Sequence, residues 1–523
     1  MFDRSVHHQV EKQFSRRLQF HMVVEGLIVG IAAGATITLY RLALAAAETS
    51  LRQFVGNAAG NVVLMLVWAL CLSAMLLMVI LLVSWEPDAA GSGIPQTQAE
   101  IMGRVHQNWW RVIVAKFSAG TITALAGLSL GREGPSVQLG AMAGKGVAQA
   151  LRREDNEERI CVSCGAAAGM SAAFHAPLTG VMFALEEMHR SFNAPLIIAV
   201  MCSCVASDFL VSQVLGMSPV LELSLSGLIP LSSYLLVILL GILAGIFGAF
   251  HNTGMFLVKS LFDRLGSTHK ALKLAVAFML SGIVAFIFPL LSCGGDAIVE
   301  LLEHSHTFSL LMMAVLLIGK LLFTAVCFGS GAPGGTLFPQ VIMGALLGGA
   351  FGGVVIRLGF ADSSLIMNFI VLGIAGSFAG IVRAPVTAIV LAFELTGSLE
   401  TLLSVSVVSI VAYVSANMFK VAPFYEELLS GMLSSLGELD QSDGEKKLIK
   451  RYVIQPGSRA DGYQLKDLAW PEGALILTVT RAGNEIIPTG DTELMALDDL
   501  LVMMDKQSEQ LLHDAVQDCV GVI

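Results

Sequence analysis

Apolar segments of two kinds dominate this sequence. Residues 62–83, 196–215, 233–250, 272–291, 310–328 and 402–418 run apolar for close to 20 residues each, and another run covers about 22–40. A helix needs about 20 such residues to cross the hydrocarbon core of a bilayer. The second kind, at 135–151, 161–174, 177–185, 339–356, 365–382 and 385–395, is interrupted by Gly and Pro and too short to span alone comfortably. Backbone that breaks at membrane depth survives only where it is buried in protein or lines a cavity, so the broken segments mark where function resides. Charged residues make up only 14% of the chain, against about 25% in soluble domains. A soluble multidomain enzyme is excluded, and the 52 glycines suit closely packed membrane helices.

The broken segments repeat. Residues 165–180 (GAAAGMSAAFHAPLTG) overlay 373–388 (GIAGSFAGIVRAPVTA) at an offset of 208, continuing to Glu186 over Glu394. Residues 131–144 (GREGPSVQLGAMAG) overlay 335–348 (GTLFPQVIMGALLG) at an offset of 204, and Gly131, Pro135, Gly140, Ala141 and Gly144 each meet an identical residue. Two halves with interruptions at matching positions place a substrate site at their interface. An offset does not say whether the halves are parallel or inverted.

Three Gly-rich breaks open helices: Gly91-Ser-Gly-Ile-Pro95, Gly131-Arg-Glu-Gly-Pro135 and Gly331-Ala-Pro-Gly-Gly-Thr-Leu-Phe-Pro339. Helix starts carry unpaired N–H groups and a partial positive charge, which together favour an anion. Several converging at mid-membrane would hold an anion without a full counter-charge that resists release. The eight cysteines suggest packing residues; Cys161-x-x-Cys164 has no second pair or His partner, so neither metal nor cofactor is expected. Arg4, Lys12, Arg16 and Arg17 precede the first apolar run and put residues 1–20 in the cytoplasm by the positive-inside tendency.

Net charge is −10, of which residues 434–523 contribute 8 basic and 16 acidic groups, a net of −8. Nothing is basic enough to hold a nucleic acid polymer. After 418 the chain turns polar: 433–447 reads as a linker, followed by strands at 448–455, 474–481, 485–488 and 499–504 and a short helix at 465–469, a small α+β unit.

The motifs GSGIP, GREGP and the second-half GxxxP, with APLTGVMFALEEM and RAPVTAIVLAFELTG, resemble the CLC family of chloride channels and chloride/proton antiporters over about residues 20–430. The resemblance implies an all-α polytopic fold of two inverted halves (about 21–220 and 228–432), a homodimer in membrane lipid, and one anion pathway per subunit. It makes Ser92 and Tyr425 the hydroxyl donors of the central anion site, completed by the backbone N–H groups of Thr336 and Leu337. Leu337 departs from the Phe common there, which puts pore shape in doubt but not a backbone contact. Glu133 corresponds to the gating glutamate, a tethered competitor for the anion site. Read alone, it is as well an intramembrane ion pair with Arg132. Glu187 corresponds to the inner proton-transfer glutamate, which favours chloride/proton exchange over the alternative, a passive chloride channel. Glu186 and Glu394 read as structural, and His175 as a loop hydrogen-bonding residue.

Residues 448–505, with Leu465-Lys-Asp-Leu468, Ile487-Pro-Thr-Gly-Asp491 and Asp498-Asp-Leu-Leu-Val502, resemble the RCK C-terminal (TrkA-C) domain of potassium-transport regulators, leaving 506–523 as a tail. That resemblance implies a dimerising cytoplasmic module that takes a small ligand such as a cyclic di-nucleotide. No T-V-G-Y-G cation filter is present to make the chain a potassium pathway. Nor is there a Walker A loop or nucleophile–base arrangement to make it an enzyme. The expected site is a bacterial inner-membrane protein with both termini cytoplasmic.

Overall fold

A computed structural model of the protein describes residues 4–58, 60–190, 194–216, 227–266, 269–295, 297–298, 302, 309–398, 401–435, 447–454, 460–468, 470, 474–481, 484–496 and 498–505. The first half contains α1 (Arg4–Ala58), α2 (Val62–Trp85), α3 (Ile94–Ile101), α4 (Trp109–Leu125), α5 (Glu133–Ala150), α6 (Asp155–Phe174), α7 (Pro177–Phe183) and α8 (Ala194–Leu215). The second contains α9 (Tyr234–Asp263), α10 (Lys270–Ile287), α11 (Leu310–Gly329), α12 (Leu337–Arg357), α13 (Ile366–Val382), α14 (Pro385–Thr396), α15 (Leu402–Met418) and α16 (Phe424–Ser435). Among the described residues, eight helical segments are long and apolar enough to cross a membrane.

Two segments expected to be too short reach spanning length. The helical stretches Leu337–Arg357 and Ser363–Val382 have 21 and 20 residues, but 72% and 94% of their apolar windows are buried. The second lies almost wholly inside the bundle; the first lies mostly inside it, with Val354 exposed near its end. Helix α15 fills the expected stretch 402–418, a 17-residue helix. Helices α5 and α12 also begin two residues before their prolines, with Glu133 and Leu337 as first residues. Proline fits anywhere in a first turn because the N–H it lacks has no intrahelical partner there.

Contacts between the halves settle their relation. The Glu394 carboxylate accepts the Leu178 and Thr179 N–H groups (both 2.7 Å) and the Thr179 hydroxyl at the start of α7. The Glu186 carboxylate accepts the Val386 and Thr387 N–H groups (3.1 and 2.7 Å) and the Thr387 hydroxyl at the start of α14. Each residue sits 208 positions from its counterpart, and the contact exchanges roles between halves. Such reciprocity belongs to a two-fold rotation, as in an isologous interface. Gly131 and Gly335 form an antiparallel bridge, so the halves run in opposite directions past one another. The repeat is inverted.

Within each half the broken helices approach closely. On α5, Gly140 faces the Gly165 carbonyl of α6; on α12, Gly344 faces the Gly373 carbonyl of α13, where an added Cβ would come within 2.8 Å. Small residues allow this contact where no hydrophobic force drives helices together.

The chain divides into two compact units, Met1–Leu429 and Ser430–Ile523. The second holds a four-stranded antiparallel sheet of order β1-β4-β2-β3: β1 Lys447–Val453, β2 Leu475–Arg481, β3 Asn484–Ile486 and β4 Asp499–Asp505. Its own core includes Tyr452, Leu465, Val479, Leu500 and Val502. The strand expectations hold within two residues, and the expected short helix is one turn at Leu465–Asp467. Most of the expected linker and the tail 506–523 lie outside the described residues.

Candidate functional site

The three Gly-rich breaks meet. The Gly91 N–H donates to the Gly331 carbonyl (3.1 Å) and the Gly334 N–H to the Gly91 carbonyl (3.0 Å). Gly131 and Gly335 exchange N–H···O bonds of 2.6 and 2.8 Å. The starts of α3, α5 and α12 are thereby lashed together by main chain. A Cβ on Gly134 would fall 2.6 Å from Ser92 Oγ and 3.1 Å from Gly335 Cα. Backbone from all three breaks thus crowds around the Ser92 hydroxyl, and each helix brings its unpaired first-turn N–H groups to the same place.

Ser92, Glu133, Thr336 and Leu337 are all buried here. Thr336 caps α12, and its Oγ1 accepts from Gln340 Nε2 at 3.1 Å. Tyr425, on α16, is fully buried and packs edge-on against Phe424 and Phe183. Its phenol faces the Thr336 side chain and senses the charges of both Glu133 and Glu187. Among the described residues, Ser92 Oγ has no protein hydrogen-bond partner, and Tyr425 Oη has only the Thr336 side chain beside it.

Glu133 is the first residue of α5 and has no exposed surface. Its Oε1 lies 3.7 Å from Arg132 Nε, so the ion pair with Arg132 exists, but lopsidedly: the Arg side chain is 20% exposed and the acid 0%. The Arg132 guanidinium sits 5.4 Å from the Phe338 ring centroid. Beside them a small cavity lined by Tyr40, Glu48, Gly131, Arg132 and Phe338 measures about 20 Å³, room for one water.

Glu187 lies in a π-turn, Ala184–His189, that widens the chain after α7. Such turns frequently mark functional positions. The residue is 4% exposed. Gln98 Nε2, on α3, donates to its backbone carbonyl (3.1 Å) and to its Oε1 (3.2 Å). Glu186 turns the other way to cap α14, so adjacent acids have separate tasks. His175 ends α6 in the left-handed region (φ 58°) and its Nδ1 pairs with Asp208 Oδ1 at 2.7 Å, a loop role. Its counterpart Arg383 has φ 70° and likewise donates to nearby carbonyls, of Gly380 and Ala416.

Sequence reasoning missed two buried lysines. Lys116 Nζ donates to the carbonyls of Ala89 (3.1 Å) and Gly91 (2.7 Å), beneath the Ser92 turn. Lys320 Nζ donates to those of Leu291 (3.0 Å) and Cys293 (2.7 Å). A lysine inside an apolar helix, repeated at the 204-residue offset of Gly131 and Gly335, was the available signal. Gln98 had no comparable one. Among the described residues no His/Cys/Asp/Glu group is arranged to hold a metal.

The arrangement brings three helix starts and two hydroxyls together around one buried carboxylate, with Tyr425 close enough to feel the charges of both Glu133 and Glu187. The chain matches the family described as Voltage gated chloride channel over residues 74–417, and the TrkA-C domain over 449–516. It is 31% identical over 433 residues to the H(+)/Cl(−) exchange transporter ClcA of Vibrio cholerae, covering 81% of this chain and 92% of that one. The ClcA of Yersinia pestis is 34% identical over 380 residues, with coverage of 71% and 79%. Among solved structures, a slow cyanobacterial Cl−/H+ antiporter superposes with a TM-score of 0.74 at 30% identity, covering 79% of this chain and 98% of that one. A eukaryotic CLC transporter has the same fold, with a TM-score of 0.65 at 22% identity, covering 78% and 74%. This polytopic, inverted-repeat membrane protein belongs to the voltage-gated chloride channel (CLC) family and carries a TrkA-C domain after its membrane unit.

Proposed function

We propose that the chain exchanges chloride for protons across the bacterial inner membrane. It works there as a lipid-embedded homodimer with both termini cytoplasmic and its TrkA-C domain as a small-ligand-responsive regulator. The observation that carries the reading is the placement of Glu133, a buried carboxylate at the first residue of α5, where the starts of α3 and α12 also arrive. A carboxylate there competes with chloride for the same N–H groups. Protonation removes its charge and lets it leave; an arriving chloride takes the Ser92, Thr336, Leu337 and Tyr425 donors and keeps it out. Each exchange of occupant therefore moves one proton on or off Glu133.

Glu187 supplies the other end of the proton's route. Buried beside Gln98, it has no acidic counterpart in the second half, where Leu395 occupies the equivalent position. That one-sidedness favours exchange over a passive channel, which needs no second acid. The relatives at 31–34% identity are exchangers. Leu337 joins through its backbone, so a bulkier side chain is not required.

Reconstituted in liposomes with a chloride gradient, the protein should drive protons uphill. Glu133→Ala and Glu187→Ala should each reduce proton movement to background, and in Glu187→Ala chloride flux should persist uncoupled. Chloride flux without any proton movement in the unaltered protein makes it a channel. Normal coupling in Glu187→Ala removes that residue from the route.

A further inference from the structure

Helix α3 touches both ion sites. Its N-cap, Gly93 (φ 98°), follows Ser92 directly, so any rotation of the Ser92 peptide is passed to the helix. The junction is tightly tied. Gly93 N–H donates to Gln96 Oε1 (3.1 Å), Gln96 Nε2 to the Ala90 carbonyl (2.9 Å), and Thr97 Oγ1 to the Gly93 carbonyl (2.8 Å). The buried Gln138 side chain lies where a Cβ on Gly93 would be, and its Nε2 donates to the Asp88 carbonyl (2.8 Å) and Gln107 Oε1 (2.6 Å). At its other end α3 is held by Glu100, which pairs with buried Lys145 and accepts the Gln107 N–H at 2.7 Å. Between these ties, Gln98 reaches out of the helix to Glu187, with its one amide group on both the backbone and the carboxylate of that residue.

We propose that Gln98 is a positioning residue that couples the anion seat to the proton route: α3 transmits the state of the Ser92 turn to the Glu187 carboxylate through the Gln98 amide. This rests on the reading of Glu187 as the inner proton residue. The amide can donate to the carboxylate, and the protonated acid can donate to the amide oxygen, so the contact persists in both states but with its direction reversed. A reversal re-aims the amide and, with it, a helix whose N-cap, Gly93, directly follows the chloride donor Ser92. Coupling of this kind is reciprocal. The charged and titratable groups around Glu187 are Arg190, Glu186 and His189 on its own segment and Glu426 and Tyr425 on α16. The side facing α3 presents the neutral Gln98, and α6 reaches the segment through the Ser163 hydroxyl on His189.

The test is the ratio of chloride to proton flux in liposomes holding the full chain, with the Glu187→Gln variant as reference. Gln98→Met keeps the volume and removes the amide; the ratio should rise about three- to tenfold, the range of one lost hydrogen bond. Gln98→Glu restores a polar partner and should restore coupling with its pH profile moved to higher pH, because two facing carboxyl groups resist joint ionisation. An unchanged ratio in Gln98→Met from pH 5 to 8 overturns the proposal, provided Glu187→Gln stops proton flux. Proton flux that survives in Glu187→Gln overturns the underlying reading instead. If Gln98→Met does not fold, Gln98→Glu decides: a ratio and pH profile equal to the unaltered protein count against the proposal.

Discussion

A single hydrogen atom on Gly134 separates the Ser92 hydroxyl from the start of α5. An added methyl would lie 2.6 Å from Ser92 Oγ and 2.7 Å from its carbonyl, neither of them the far end of a flexible chain. Gly134→Ala should therefore push the anion donors apart and lower chloride turnover at least tenfold, while Gly254→Ala, with open space around it, should leave flux as it was. Equal fluxes would show that the three breaks do not need to touch. At this scale the sequence offered candidates: Ser92 and Glu133 beside Gly and Pro, Tyr425 two residues after Pro423, and Glu187 with neither nearby. It did not reveal Gln98, because an amide on a short helix carries no signature until its partner, 89 residues away, is placed beside it.

The elements are short helices whose ends would be costly in a membrane, and the protein satisfies them from the opposite half. Glu394 caps α7 and Glu186 caps α14, each accepting two N–H groups and a hydroxyl. Buried donors left without an acceptor cost energy, and a lost cap is worth roughly 1–2 kcal/mol. Glu394→Ala and Glu186→Ala should lower thermal stability in detergent by similar amounts. A variant with no loss would show that its cap is not sustained. The sequence showed Glu186 over Glu394 as a repeated pair, but periodicity within one half could not show that each serves the other. Likewise the prolines marked the helix starts to within two residues, since they fix a first turn without naming its first residue.

For the whole molecule, the two compact units invite separate tests. In the second, Arg481 donates to both Asp498 oxygens (2.8 and 2.7 Å), and the Met495 N–H adds a third bond at 2.8 Å. Desolvation alone would raise the Asp498 carboxyl, but these bonds outweigh it and hold it below the usual carboxylate range. A lowered folded value contributes stability above the unfolded value of about 3.9. That contribution disappears as pH falls through the folded value. Protection of the β2 and β4 amides, taken relative to the intrinsic exchange rate at each pH, should fall below about pH 4 in the intact protein, and Asp498→Asn should lose this acid step while being less protected at neutral pH. An acid step that remains in Asp498→Asn places its origin elsewhere.

The sequence alone determined that this chain lives in a membrane, in two related halves with broken helices at matching positions. Hydropathy and spacing are local quantities, and a bilayer reads them directly. Only the tertiary structure decided that the halves are inverted, that α13 and most of α12 are interior, and that α3 runs from the Ser92 turn to Glu187. Those facts depend on which surfaces meet, through contacts spanning tens to hundreds of residues, and no local pattern encodes them.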